Sequence, residues 1–138
     1  MNKALLLASV LATAVTAIHV IAGGNDVAAP LLASQLAEGV RLTLYAVWHM
    51  ASVLLGASAL TLGWAALPGR SAPAESAVRL VALLWVASGI AFLVVGITQP
   101  GDGLLLKLPQ WLLLIPVGVL AWLGANNSSK PTPLRGAA

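Results

Sequence analysis

A chain of 138 residues with 59% hydrophobic side chains, 8% charged side chains and a mean hydropathy of +0.95 lies far outside the range of soluble domains. It has no cysteine, which excludes disulfides, thiolate metal sites and cysteine nucleophiles. The formal net charge of +3 comes from seven basic residues scattered through short connections and tails, so no nucleic-acid surface is expected.

Four apolar stretches, 4–22, 42–67, 77–98 and 104–124, reach or approach the roughly 20 residues that a helix needs to cross about 30 Å of hydrocarbon. Backbone groups in lipid must be satisfied within each segment, and the alternation of barrel strands is absent. The expected fold is therefore all-α: a four-transmembrane-helix, up-down-up-down bundle forming a single membrane domain over 1–125. The lipid bilayer is its first partner.

The first stretch follows Lys3, and "VTA" at Val15 to Ala17 resembles a signal-peptide cleavage site. Its apolar run is longer than a usual signal core, which favours a retained span. The segment after it, "GGNDVAAPLLASQLAEGVRL", is too long for a tight turn and too apolar for a plain solvated loop. Gly23 and Gly24 are expected to stop the first helix, and Asn25 or Asp26 to cap a new one. With Pro30 in its first turn and Leu31, Leu32 and Leu36 on one side, this reads as a short interfacial helix between spans one and two.

The second connection, "PGRSAPAES", is a short basic turn, and the third, "QPGDG", a tight one. The polar tail 126–138 is expected to be disordered. With a cytoplasmic amino terminus, Lys3, Arg70, Arg79, Lys130 and Arg135 lie inside and only Arg41 and Lys107 outside, which satisfies the positive-inside rule. Both termini are then cytoplasmic.

Two histidines fall within the apolar runs. On the second stretch Arg41, Tyr45 and His49 recur at intervals of four, and Ser52, Gly56, Ala59 and Gly63 continue the line. Small residues in such a line let another helix approach, so His49 is expected to point into the bundle. His19 falls on a comparable face through Ala8, Ala12, Thr16 and Gly23. Helical rise puts His49 roughly 12 Å below Arg41 and His19 about 6 Å below Gly23, so both occupy the outer half of the membrane. Asp26, Glu38, Gln99, Asp102, Lys107 and Gln110 come from the same side.

Ionisable groups inside a membrane usually face a cavity or a partner, so an outward-opening polar pocket is one reading of the pair. Another is that each ring hydrogen-bonds a neighbouring helix and serves packing alone. If the pair does chemistry, three options compete. The rings can ligate a haem b iron, bind a transition metal such as zinc or copper with Asp26, Glu38 or Asp102, or meet the polar head of a small amphiphile. The ligand-binding candidates are His19, His49, Tyr45, Arg41, Asp26 and Gln99. Arg41 either snorkels to head groups or pairs with Glu38 or Asp26.

The five tryptophans, Trp48, Trp64, Trp85, Trp111 and Trp122, suit an aromatic belt, and Pro116 is expected to kink the fourth span. Ser52 and Ser88 lack the base and acid that a nucleophile needs.

The segments "HVIAGG" (His19 to Gly24), "PLL" (Pro30 to Leu32), "RLTLYAVWHMAS" (Arg41 to Ser52) and "LPQWLLL" (Leu108 to Leu114) are similar to a group of small bacterial four-span membrane proteins with an H-x-x-x-G-G … P-L-L … W-H-x-x-S pattern. The resemblance implies the four-helix fold and a histidine near the end of span one paired with Trp-His in span two. It implies no activity. Together these readings give a bacterial inner-membrane protein with a His19/His49 site, foremost a non-enzymatic accessory or small-ligand-binding protein. A haem or metal electron-transfer protein is the alternative, and a small exporter or channel working as a homo-oligomer or within a larger membrane complex is the third reading.

Overall fold

The computed structural model describes residues 1–101 and 103–128. The described residues form helices α1 (Lys3–Gly23), α2 (Ala29–Leu32), α3 (Glu38–Ala66), α4 (Glu75–Thr98), α5 (Leu104–Lys107) and α6 (Trp111–Ser128), with no strand among them. Three helical runs are long and apolar enough to cross a membrane: Lys3–Leu32, Glu38–Ala66 and Glu75–Thr98. A shorter apolar helix covers Trp111–Asn127.

Two sequence expectations fail at Gly23 and Gly24. Neither glycine stops the helix, for both keep right-handed helical dihedrals. The chain widens into a π-helical turn over Gly24–Ala28, closed by the Ala29 N–H donating to the Gly24 carbonyl, and then runs straight on as α2. Pro30 supplies the physical reason. Its ring would clash with the carbonyl four residues back and it has no N–H to donate, so one extra residue per turn ahead of it relieves both problems. The expected separate interfacial helix is thus the end of the first helical run. Neither Asn25 nor Asp26 caps it.

Two other boundaries move. The stretch expected as one span over 104–124 is broken between α5 and α6, where Leu108 precedes Pro109 and leaves the helical region with φ −117° and ψ 65°. α6 continues past Gly124 to Ser128, so the first residues of the expected tail are helical. The rest of that tail, with Lys130 and Arg135, lies outside the described residues, as does Asp102.

The long helices alternate in direction and pack mainly as two pairs of chain neighbours. α3 lies mainly along α1, α4 along α6, and α1 meets α6 to join the two pairs; consecutive α3 and α4 touch little. Asn2 stands where three helices converge. Its backbone N–H donates to the Ala66 carbonyl at 3.0 Å, its side-chain N–H to the Gly124 carbonyl at 2.8 Å, and its Oδ1 accepts from the Leu5 N–H at 3.3 Å to cap α1.

Nearly all of the core sits at this amino-terminal end. Leu5, Ala8, Ala12 and Val15 of α1 are buried against Ala59, Leu62, Ala65 and Ala66 of α3, Val78, Ala82 and Trp85 of α4, and Val117, Ala121 and Ala125 of α6. Small side chains set the spacing: a Cβ on Gly118 would lie 2.8 Å from the Ala82 carbonyl oxygen, and one on Gly89 would lie 2.5 Å from Ile115 Cγ1. Trp85, expected in an aromatic belt, is instead 3% exposed in this core. Beyond Val15 α1 has no buried residue, the π-turn after it buries Ala28, and α3 has none before Ser58. At their far end the two helix pairs share no common core.

Candidate functional site

The α1–α3 pair stays together past the core through one polar and aromatic junction. The His19 ring stacks on Trp48, with centroids 4.9 Å apart and planes 21° from parallel. His19 Nε2 lies 3.1 Å from Ser52 Oγ and 3.4 Å from the Trp48 carbonyl oxygen. Ser52 Oγ donates its single proton to that same carbonyl at 3.1 Å. The histidine–serine contact is a hydrogen bond in either tautomer: the hydroxyl accepts from Nε2–H, or turns its proton from the carbonyl to a bare Nε2.

His49 stands on the next residue of α3 and does not point into the bundle. It is exposed, and its ring contacts come from its own helix: edge-on to Tyr45 at 4.5 Å and 84°, and edge-on to Trp48 at 4.9 Å and 80°. Tyr45 and Trp48 are nearly parallel, with centroids 6.3 Å apart. Trp48 thus pairs with all three other rings, stacked with His19 and edge-on with His49. The expectation that His49 faces inward fails because its helical angle is about 100° from that of Trp48, the residue that meets α1.

The polar atoms divide into two sets. His19 and Ser52 are engaged between helices. The Tyr45 hydroxyl, the Trp48 indole N–H and both His49 nitrogens have no hydrogen-bond partner among the described residues. A Cβ on Gly23 would sit 3.8 Å from Trp48 Nε1, so the indole edge reaches the last turn of α1.

The other predicted site residues are not gathered here. Arg41 is one turn before Tyr45 and donates from Nη1 to the Ser34 carbonyl at 3.4 Å, making no ion pair with Glu38 or Asp26. Asp26 is exposed on the π-turn, and Gln99 is exposed as the C-cap of α4. Among the described residues no three His, Asp or Glu side chains come together as a metal-binding group.

Helix lengths set the depth of the cluster. At 1.5 Å per residue His19 is roughly 25 Å along α1 from Asn2, about 6 to 10 Å short of the level at which α4 ends. α1–α2 and α3 run beyond that level. The rings therefore lie one to two turns short of that level, among helices apolar enough to cross a membrane. Position alone places Trp48 in an aromatic belt, and only the resemblance points to it beside His49; residue-by-residue reasoning leaves it out of the site. The available signal was Tyr45-x-x-Trp48, an i,i+3 ring pair directly before His49.

No family model, curated protein or solved structure matches this chain.

Proposed function

We propose that this is a bacterial inner-membrane protein that crosses the bilayer with four helices, both termini cytoplasmic, and binds a small ligand non-catalytically at the Tyr45, Trp48 and His49 rings. The fourth crossing is supported by α6, an apolar helix antiparallel to α4 whose end meets Asn2 beside the start of α1. The orientation rests on the basic residues at the amino-terminal end.

One observation carries the ligand reading. Four hydrogen-bonding atoms on three adjacent rings are left without protein partners, while the neighbouring His19 is satisfied; the four-crossing reading puts them one to two turns inside the apolar layer. Unpaired polar groups in such surroundings are costly and favour a partner with complementary atoms. A flat or ring-bearing amphiphile with a carbonyl or hydroxyl head suits them. The geometry speaks less for an iron held axially by both histidines. Trp48 contacts each ring, and Nε2 of His19 is already engaged by Ser52, so an iron at that nitrogen would displace the hydrogen bond.

The test is to extract small molecules from wild-type protein purified in mild detergent, beside His49→Ala and Tyr45→Phe, and to record visible spectra of each. A compound retained near one per chain by wild type and lost from His49→Ala supports the reading. Identical extracts from all three proteins would sink it, and a Soret band requiring both histidines would replace it with the haem reading.

A further inference from the structure

A second feature lies at the opposite end of the molecule. On the outer side of the α4–α6 seam is a shallow cavity of about 210 Å³ whose walls include Ala82, Leu83, Val86, Gly118, Val119 and Trp122. It exists because Gly118 brings the two helices close while larger side chains stand on either side. At its amino-terminal edge the Arg79 guanidinium lies over the Trp122 ring, 5.6 Å from the centroid. The charged end and the apolar trough thus share one tryptophan.

Arg79 is paired with Glu75, Nη2 to Oε1 at 2.6 Å, and the two side chains are 42% and 29% exposed. The guanidinium has five N–H donors, and no other acceptor among the described residues takes any of them. The second carboxylate oxygen of Glu75 is likewise without a partner. At the rim the two therefore stand as one partly exposed ion pair, with a guanidinium nitrogen and a carboxylate oxygen that the pair itself does not use. The trough runs from them toward the middle of the membrane.

We propose that this groove holds one phospholipid with an ethanolamine head group. The phosphate lies on Arg79, the ammonium on Glu75, and the first methylenes of an acyl chain fill the trough between Val86, Val119 and Trp122. Charge complementarity selects the head group. A phosphate–ammonium pair matches Arg79 and Glu75 together, whereas a singly anionic glycerol head group satisfies Arg79 and is repelled by Glu75. A choline head group has no N–H to donate to the carboxylate. The direction also agrees, since the polar rim is at the helix end and the apolar trough is deeper.

The experiment is native mass spectrometry of the full-length protein in detergent, titrated with ethanolamine, choline and glycerol phospholipids of identical acyl chains. Wild type should bind the ethanolamine lipid roughly fivefold or more tightly than the others, the scale of one charge-assisted contact. Arg79→Gln should lose that preference by removing the phosphate partner, and Val119→Trp should weaken all three lipids by filling the trough. Glu75→Gln is the decisive variant, because it should reverse the preference toward the anionic glycerol lipid. Glu75 is partly exposed and Val119 exposed, so neither substitution enters the buried core, and far-UV circular dichroism checks that both variants fold. Equal binding of the three head groups by wild type, or an unchanged preference in Glu75→Gln, would overturn the proposal.

Discussion

His19 and Trp48 stack at 4.9 Å across the α1–α3 seam, and the edge of the same imidazole hydrogen-bonds Ser52 one turn further along α3. This junction lies outside the shared core, so it is what keeps the two helices together in the half of the molecule where little else is buried. Removing it should loosen the pair locally. His19→Ala is expected to cost about 1–3 kcal/mol, combining a ring contact with a hydrogen bond, and His19→Phe, which keeps a ring against Trp48, only about 0.5–1.5 kcal/mol. Denaturant unfolding in detergent, followed by tryptophan fluorescence, measures both. Equal losses for the two variants would mean that stacking contributes nothing.

His49, one residue after Trp48, behaves differently because it is exposed and its ring pairs are with Tyr45 and Trp48 of its own helix. His49→Ala should shift stability by no more than about 0.5 kcal/mol, the range of surface substitutions. The unfolding midpoint of that variant, compared with the midpoint for His19→Ala, separates a structural histidine from one free to act on a ligand. A large loss in His49→Ala would assign it to packing instead.

Glycines on the helices divide in the same way. A Cβ on Gly118 meets backbone on α4, the Ala82 carbonyl oxygen at 2.8 Å and the Val86 nitrogen at 3.0 Å, so the helices must separate to admit it. Gly118→Ala should therefore destabilise by about 1–3 kcal/mol, the usual cost of overpacking. Gly56 has nothing within 4 Å of its Cβ position, and Gly56→Ala should be neutral or gain up to about 1 kcal/mol from helix propensity. Thermal unfolding of the two variants side by side checks the contrast; a harmless Gly118→Ala would show that the α4–α6 seam is not as close as described.

Composition and length made the helical class legible, since runs this apolar in a chain this size leave no other economical fold. The histidine site was legible only in part. A line of residues four apart, such as Arg41, Tyr45 and His49, drifts about 40° around a helix at each step, so it leaves the contact face within a few turns. The seam that α3 presents to α1 follows Trp48, Ser52, Leu55, Ala59, Leu62 and Ala66, spaced alternately by four and three. That spacing was present in the sequence but hidden among apolar neighbours that fit several periods. The π-turn was hidden for another reason. Paired glycines more often end a helix than widen one, and only their coupling to Pro30 tips the balance.

Asn2 gives the sharpest test of how the two helix pairs are joined. Its Oδ1 caps α1, its amide N–H donates to Gly124 on α6, and its backbone holds Ala66 on α3. Asn2→Ala removes the cap and the bridge together and should cost about 1–2 kcal/mol. Asn2→Asp separates the two roles. The carboxylate caps the helix at least as well, but it cannot donate, and it faces the carbonyl oxygen of Gly124 at a distance where two acceptors repel. If the bridge between α1 and α6 matters more than the cap, Asn2→Asp should be as destabilised as Asn2→Ala at neutral pH. If capping dominates, it should retain wild-type stability, and the contact between the pairs would rest on the alanine-rich core alone. Denaturant midpoints of the three proteins in one detergent decide between these outcomes.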